Sequence, residues 1–116
     1  MRLLSFYPER ESEVISWKDA HKYYGQKVSV EGKIVRTHHS GKACFLNFHA
    51  NWKKYLTAVI FARDFSKFPE HPEEYYYSKT VRITGIVKEY RRKPEIILRD
   101  PSQIEILEEE MLRKEH

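Results

Sequence analysis

One heptad pattern occurs twice, and it limits what this chain can fold into. Val28-Ser29-Val30-Glu31-Gly32-Lys33-Ile34 returns as Val81-Arg82-Ile83-Thr84-Gly85-Ile86-Val87. Each copy alternates apolar and polar residues, the mark of a strand with one buried face. Each also places glycine where the alternation calls for the next apolar side chain. Glycine inside a strand signals a bulge or a sharp bend. Two long bent strands framing shorter ones predict a small closed barrel.

The rest of the chain reads in order around these two strands. Ser16 before Trp17, Lys18 and Asp19 predicts a helix cap, with the helix over about 16–24 ending at Gly25. The first bent strand runs from Lys27 to Thr37, and His38 to Lys42 form a turn-rich loop. A second strand covers Ala43–His49, Asn51 to Lys54 turn, and a third strand runs from Tyr55 to about Arg63. Pro72 followed by Glu73 and Glu74 predicts a short helix through Tyr77. The fourth strand is Thr80–Tyr90. Arg91 to Pro94 turn into a fifth strand, Glu95–Arg99, and Glu108–Lys114 reads as a terminal helix. Three strands, a helix and two strands make an all-β, five-stranded Greek-key barrel of the OB-fold type.

The 116 residues suit one domain, with the barrel over about 27–107 and an acidic tail over about 105–116. With Cys44 as the single cysteine, no intrachain disulfide can form. His38 and His39 are adjacent, so a strand would point them to opposite faces; no metal site is expected. No signal-like or membrane-spanning apolar run is found, which makes the cytoplasm the expected location.

Charge is unevenly placed. Residues 27–99 hold 15 Lys and Arg against 7 Asp and Glu, whereas residues 100–116 hold 2 against 6. A basic body attracts polyanions, nucleic acid first among them; the bland reading is a solubilising coat of charge. Alternation puts Cys44, Leu46 and Phe48 toward the core and leaves Phe45, Asn47 and His49 outside. It likewise turns Leu56, Ala58 and Ile60 inward and Tyr55, Thr57, Val59, Phe61 and Arg63 outward. For Phe61 a second reading stands, in which the ring caps the core. Exposed rings on strands two and three would stack on bases. Arg36, His38, His39 and Lys42, then Lys53 and Lys54, then Tyr90, Arg91, Arg92 and Lys93 form basic rims around that floor. The expected contact set is therefore Arg36, His38, Lys42, Phe45, Asn47, Lys53, Lys54, Tyr55, Phe61, Arg63, Tyr90, Arg91, Arg92 and Lys93. No catalytic residue is expected: the carboxylates Glu31, Asp64, Glu89 and Glu95 are scattered, and no nucleophile or phosphate-loop motif occurs. No cofactor is expected either.

The two heptads, Ala43-Cys44-Phe45-Leu46-Asn47-Phe48, Pro94-Glu95-Ile96 and Asp100-Pro101-Ser102-Gln103-Ile104 resemble the small bacterial OB-fold nucleic-acid-binding domains. Those occur alone or attached to nucleases, and the resemblance spans about residues 14–107. It implies non-catalytic binding of single-stranded DNA or RNA. A protein-interaction module, or an accessory subunit of a DNA-processing enzyme, is the alternative. Tyr75-Tyr76-Tyr77 could supply a protein contact, although packing of at least one ring against the barrel is the simpler reading. The acidic tail either competes with nucleic acid for the basic groove or is a solvated helix with Glu109 and Arg113 paired.

Overall fold

The two copies of the heptad pair with each other. In the computed structural model, which describes residues 13–107, strand β2 (Lys27–Lys33) lies antiparallel to strand β6 (Thr80–Tyr90). The register sets Val28 opposite Gly85 and Gly32 opposite Val81, so each copy's glycine faces the other copy's leading valine. The ladder is continuous from Lys27↔Ile86 to Lys33↔Thr80, so neither glycine forms the expected bulge. What each supplies is room. A Cβ on Gly32 would lie 2.9 Å from both Phe48 Cδ1 and Trp17 Cδ1, and one on Gly85 would lie 2.6 Å from Ile96 Cγ2.

The remaining elements follow in chain order. Strand β1 (Glu13–Ile15) pairs parallel with β2, and a 3-10 helix (Trp17–Lys22) links them. Strands β3 (Arg36–His39), β4 (Ala43–Asn47) and β5 (Thr57–Phe61) form an antiparallel meander. A second 3-10 helix (Ala62–Lys67) and helix α1 (Pro72–Tyr75) lead into β6. Strand β7 (Lys93–Ile97) pairs antiparallel with β6 and parallel with β5. A capped 3-10 turn (Pro101–Gln103) then delivers β8 (Ile104–Ile106) to the other part of β6. The strand order is β1-β2-β6-β7-β5-β4-β3.

Apart from the short edge strand β1, that order runs from β2 to β3, which are neighbours in sequence, so the path returns on itself. Between them the Ile34 N–H bonds to the Lys79 carbonyl at 3.0 Å, and the Val35 N–H bonds to the Asn47 carbonyl at 2.9 Å. Successive residues thus bond to opposite sides of the barrel. This is why the expected single strand Lys27–Thr37 is two strands. With β1 and β8 added at the edges, the described residues hold eight strands instead of the expected five.

Inside lie Val28, Val30, Ile34, Leu46, Ile60, Ile83, Val87, Ile96 and Leu98, all with essentially no exposure. Burying each aliphatic side chain contributes about 1.5–3 kcal/mol. Cys44, Leu46, Phe48, Leu56, Ala58 and Ile60 belong to this core cluster, while Phe45 and Phe61 do not; Val59 lies outside the cluster yet is fully buried, against the expectation that it faces outward. Tyr76 is buried in it, and Tyr75 and Tyr77 flank it with about half their surface exposed.

Several boundaries differ from expectation. The first helix is 3-10 and shorter, Trp17–Lys22, although Ser16 caps it by accepting from the Lys18 N–H at 3.1 Å. Its Asp19 carboxylate is paired with Lys22 instead of completing a capping box. The short α1 ends at Tyr75 instead of Tyr77. The fifth strand starts two residues early because the β6–β7 turn is only Arg91-Arg92. Residues 104–106, partly assigned to the acidic tail, are strand: Ile104 and Ile106 align with Ile83 and Val81, and Glu105 joins Arg82. The expected helix Glu108–Lys114, with the rest of the tail, lies outside the described residues. Among the described residues, no helix is long and apolar enough to cross a membrane.

The close approach at Gly85 gives a test. Gly85→Ala forces the Ile96 side chain to move in a filled core, which costs about 1–3 kcal/mol. A urea titration should show the midpoint falling with little change in slope. The same substitution with wild-type stability would mean that the glycine contact does not constrain the barrel.

Candidate nucleic-acid interface

Residues directly opposite in a sheet share a face, so register defines what the outer wall presents. One row runs His38, Phe45, Val59 and Ile97 across β3, β4, β5 and β7, but Val59, expected outward, is 1% exposed and presents nothing to solvent. Phe45 is half-buried, and the exposed His38 ring stacks on it with centroids 6.0 Å apart and planes 24° from parallel. Phe61 lies opposite Ala43, toward the β3–β4 turn. It too is half-buried and outside the core cluster. The Arg63 guanidinium lies 5.9 Å from the Phe61 ring centre, and Arg63 follows β5 in the second 3-10 helix.

The next row, Arg36, Asn47, Thr57, Glu95 and Lys88, is polar, yet its middle is closed off. Asn47 is 3% exposed: its Oδ1 accepts from the Thr57 hydroxyl at 2.6 Å and its amide donates to the Arg36 carbonyl. Lys93 is 8% exposed, and its ammonium donates to Thr57 Oγ1 and to the Trp52 carbonyl. Both were expected on the contact surface, and neither is available there. Their polar atoms are consumed in a network that ties the β4–β5 loop to β7, as buried donors and acceptors require. Burial pushes the Lys93 ammonium below the ordinary lysine range, opposed by Glu95. Burial likewise pushes the Glu95 carboxyl up, opposed by Lys93 and Lys88.

The accessible cations sit at both ends of the wall. Lys42 is at the β3–β4 turn; Lys53 and Lys54 are in the β4–β5 loop, and Arg91 and Arg92 are at the β6–β7 turn. The last two groups share an end, since Lys93 bonds to Trp52. Arg36, Lys42, Lys53, Lys54, Arg91 and Arg92 are exposed and form no ion pair among the described residues. The arginine turn is built against backbone preference. Arg91 and Arg92 have φ of 52° and 67°, the left-handed conformation that a two-residue hairpin turn demands and that glycine or asparagine supplies more easily. The Arg91 guanidinium lies 5.2 Å from the exposed Tyr90 ring centre.

Tyr55 departs from its expected place. It precedes β5, and its ring lies 5.3 Å edge-on to Trp17 and 4.6 Å from His49. Sequence reasoning missed Trp17 and Tyr24, which line a cleft of about 560 Å³ with Tyr55, Lys54 and Arg92. A tryptophan between a helix cap and a lysine was the available signal.

The fold also gathers residues that linear spacing kept apart. Ligand atoms of His39, Cys44 and Glu73 lie within 4.8 Å of one another, as do those of His71, Glu73 and Glu74. In the first group hydrogen bonds already engage the donors. The Cys44 thiol donates to Glu73 Oε1 at 3.4 Å, and His39 Nδ1 accepts from the Gly41 N–H.

A closed β circuit with a strand shared between its two halves, carrying rings and cations on its outer wall, defines an OB-fold domain. Solved structures agree. The chain aligns with asparaginyl-tRNA synthetase from Pyrococcus horikoshii at TM-score 0.58 and 20% identity, over 84% of this chain and 23% of that one. It aligns with aspartyl-tRNA synthetase from Entamoeba histolytica at TM-score 0.58 and 13% identity, over 83% and 21%. OBody AM3L15, solved bound to hen egg-white lysozyme, aligns at TM-score 0.56 and 18% identity, over 84% and 95%. The chain thus spans about a fifth of the synthetases' length. Identities this low establish the fold alone. No family model and no curated protein sequence matches the chain.

Burial, with the neighbouring Glu73, pushes the Cys44 thiol up to about 12. The reactive thiolate is therefore scarce at pH 8. Iodoacetamide should leave Cys44 nearly untouched in native protein and modify it readily in urea, as followed by intact mass. Equal rates in both states would contradict this buried, carboxylate-bound thiol.

Proposed function

We propose that this domain binds single-stranded nucleic acid without catalysis, along the outer wall of β3, β4, β5 and β7. The carrying observation is the Phe45–His38 stack on the outer wall, flanked at both ends by cations that form no ion pair among the described residues. A phosphate chain neutralises the cations, and bases stack on the rings, so affinity depends on salt and only weakly on sequence. Lys42 serves one side of the row, and Arg36, Lys53, Lys54, Arg91 and Arg92 serve the other, with His38 in the row itself. The tRNA synthetases that share the fold act on an RNA, which supports the reading. The resemblance to stand-alone or nuclease-associated bacterial domains points the same way, in a cytoplasmic setting.

One observation favours a second reading. OBody AM3L15 engages a protein, lysozyme, and Tyr75 and Tyr77 are 43% and 53% exposed on this chain. In that reading the domain docks a protein partner, as an accessory subunit does.

Fluorescence anisotropy with labelled oligonucleotides decides between them. Phe45→Ala should weaken binding by about 1–3 kcal/mol, roughly 5- to 150-fold, if one base stacks there. The logarithm of affinity should fall with the logarithm of salt by about 0.7 per phosphate neutralised, or about 3 for four cations. Absence of binding at low salt, to DNA and RNA alike, would refute nucleic-acid binding and leave the protein-docking reading.

A further inference from the structure

The cleft at the end of the wall has a composition of its own. It lies between the first 3-10 helix and the tips of two loops, and its aromatic lining is Trp17, Tyr24 and Tyr55. Lys18, Lys54 and Arg92 stand around these rings, with His21 beside them, and no acidic side chain lines the cleft. The nearby Asp19 is occupied by Lys22 at 3.5 Å, and burial, with the Glu89 carboxylate, pushes the Tyr24 phenol above the ordinary tyrosine range.

Two ring faces are already used as cation platforms. The Lys18 ammonium lies 5.5 Å from the Trp17 ring centre, and that of Lys54 lies 5.1 Å from the Tyr55 ring centre. Both lysines are exposed, so these contacts are weak and exchangeable. A ligand with a flat ring and an anionic group satisfies both partners of each contact at once. Its ring takes the aromatic face, and its anion takes the released ammonium. Arg92 reaches the same cleft from a backbone conformation with φ of 67°, which glycine adopts freely and arginine does not. The chain thus tolerates backbone strain at a position that adds a guanidinium to the cleft, the kind of outlier that marks functional sites.

We propose that this cleft is a pocket for one nucleotide, its base held against Trp17 and Tyr55 and its phosphate held by Arg92 and Lys54. The pocket is separate from the Phe45 row but lies at the same end as the arginine turn. A strand running along the wall would place a nucleotide in it, and in that respect the inference rests on the proposed function. The chemical class is a nucleoside monophosphate unit, recognised by ring and phosphate together.

The test uses adenosine 5′-monophosphate titrated into the 116-residue protein, followed by amide and tryptophan indole NMR shifts. Trp52→Phe assigns the Trp17 indole signal. Saturable shifts at Trp17, Tyr55 and Arg92 are expected, with adenosine and inorganic phosphate each binding at least tenfold more weakly. Arg92→Gly should weaken the nucleotide at least tenfold while leaving the melting temperature equal or higher, because glycine relaxes the turn. Absence of saturable shifts in the cleft overturns the pocket, as does unchanged affinity in Arg92→Gly. Oligonucleotide binding measured alongside separates the two proposals. A nucleotide that saturates the cleft while no oligonucleotide binds supports the pocket and refutes the strand reading. An oligonucleotide that binds while the nucleotide does not refutes the pocket alone.

Discussion

The barrel rests on two places where a strand carries no side chain. Val28 opposite Gly85 and Val81 opposite Gly32 are reciprocal contacts between two copies of one sequence pattern. At Gly32 the missing side chain admits Phe48 and Trp17, and at Gly85 it admits Ile96 and Gln103. Those four residues come from the β4–β5 loop, the first 3-10 helix, β7 and the turn before β8. Four elements are thereby positioned by two absent Cβ atoms. Dense packing makes such contacts nearly all-or-none, since a filled interior does not yield by small amounts. Trp17 is fixed by one of these contacts, so the cleft that it lines inherits its shape from the barrel frame.

Placement of the polar network follows from the same frame. Asn47, Thr57, Lys93 and Glu95 lie on the outer wall by register, where strand alternation alone would expose them. They are buried because the β4–β5 loop is drawn onto β7 through the Lys93 bond to the Trp52 carbonyl. Water is displaced from that part of the wall, and the charges of Lys93 and Glu95 are partly desolvated together. The two opposing pushes on their proton affinities express one arrangement: neither charge is comfortable, and each makes the other more so. Short charge-assisted hydrogen bonds are the usual outcome of such confinement.

Much of the frame was legible in the sequence because it depends on period. Alternation in Cys44, Leu46 and Phe48, and in Leu56, Ala58 and Ile60, reports a buried face whatever the partner strand is. Pro72 before two glutamates reports a helix start from local backbone chemistry. The break at Ile34–Val35 was not legible, because it depends on which carbonyls lie across the barrel, those of Lys79 and Asn47. The burial of Lys93 was hidden for a related reason. Within Arg91-Arg92-Lys93 all three residues look alike, and only the two-residue turn separates a strand residue from its neighbours. The meeting of His39, Cys44 and Glu73 depends on where α1 crosses β3 and β4, which local spacing does not encode.

Strand β6 pairs with β2, β7 and β8, so three elements need it before they are complete. That arrangement has a consequence during synthesis. On a ribosome adding about 5–20 residues each second, β2 emerges several seconds before the partner that covers its open edge. Through that interval the nascent chain carries an unpaired strand with the apolar side chains Val28 and Val30. A long sequence separation between paired strands also slows closure, because the loop must be ordered before the contact rewards it. The apolar face of β2 therefore stays without its β6 partner until the second heptad is released, and the ladder that frames the barrel forms only then.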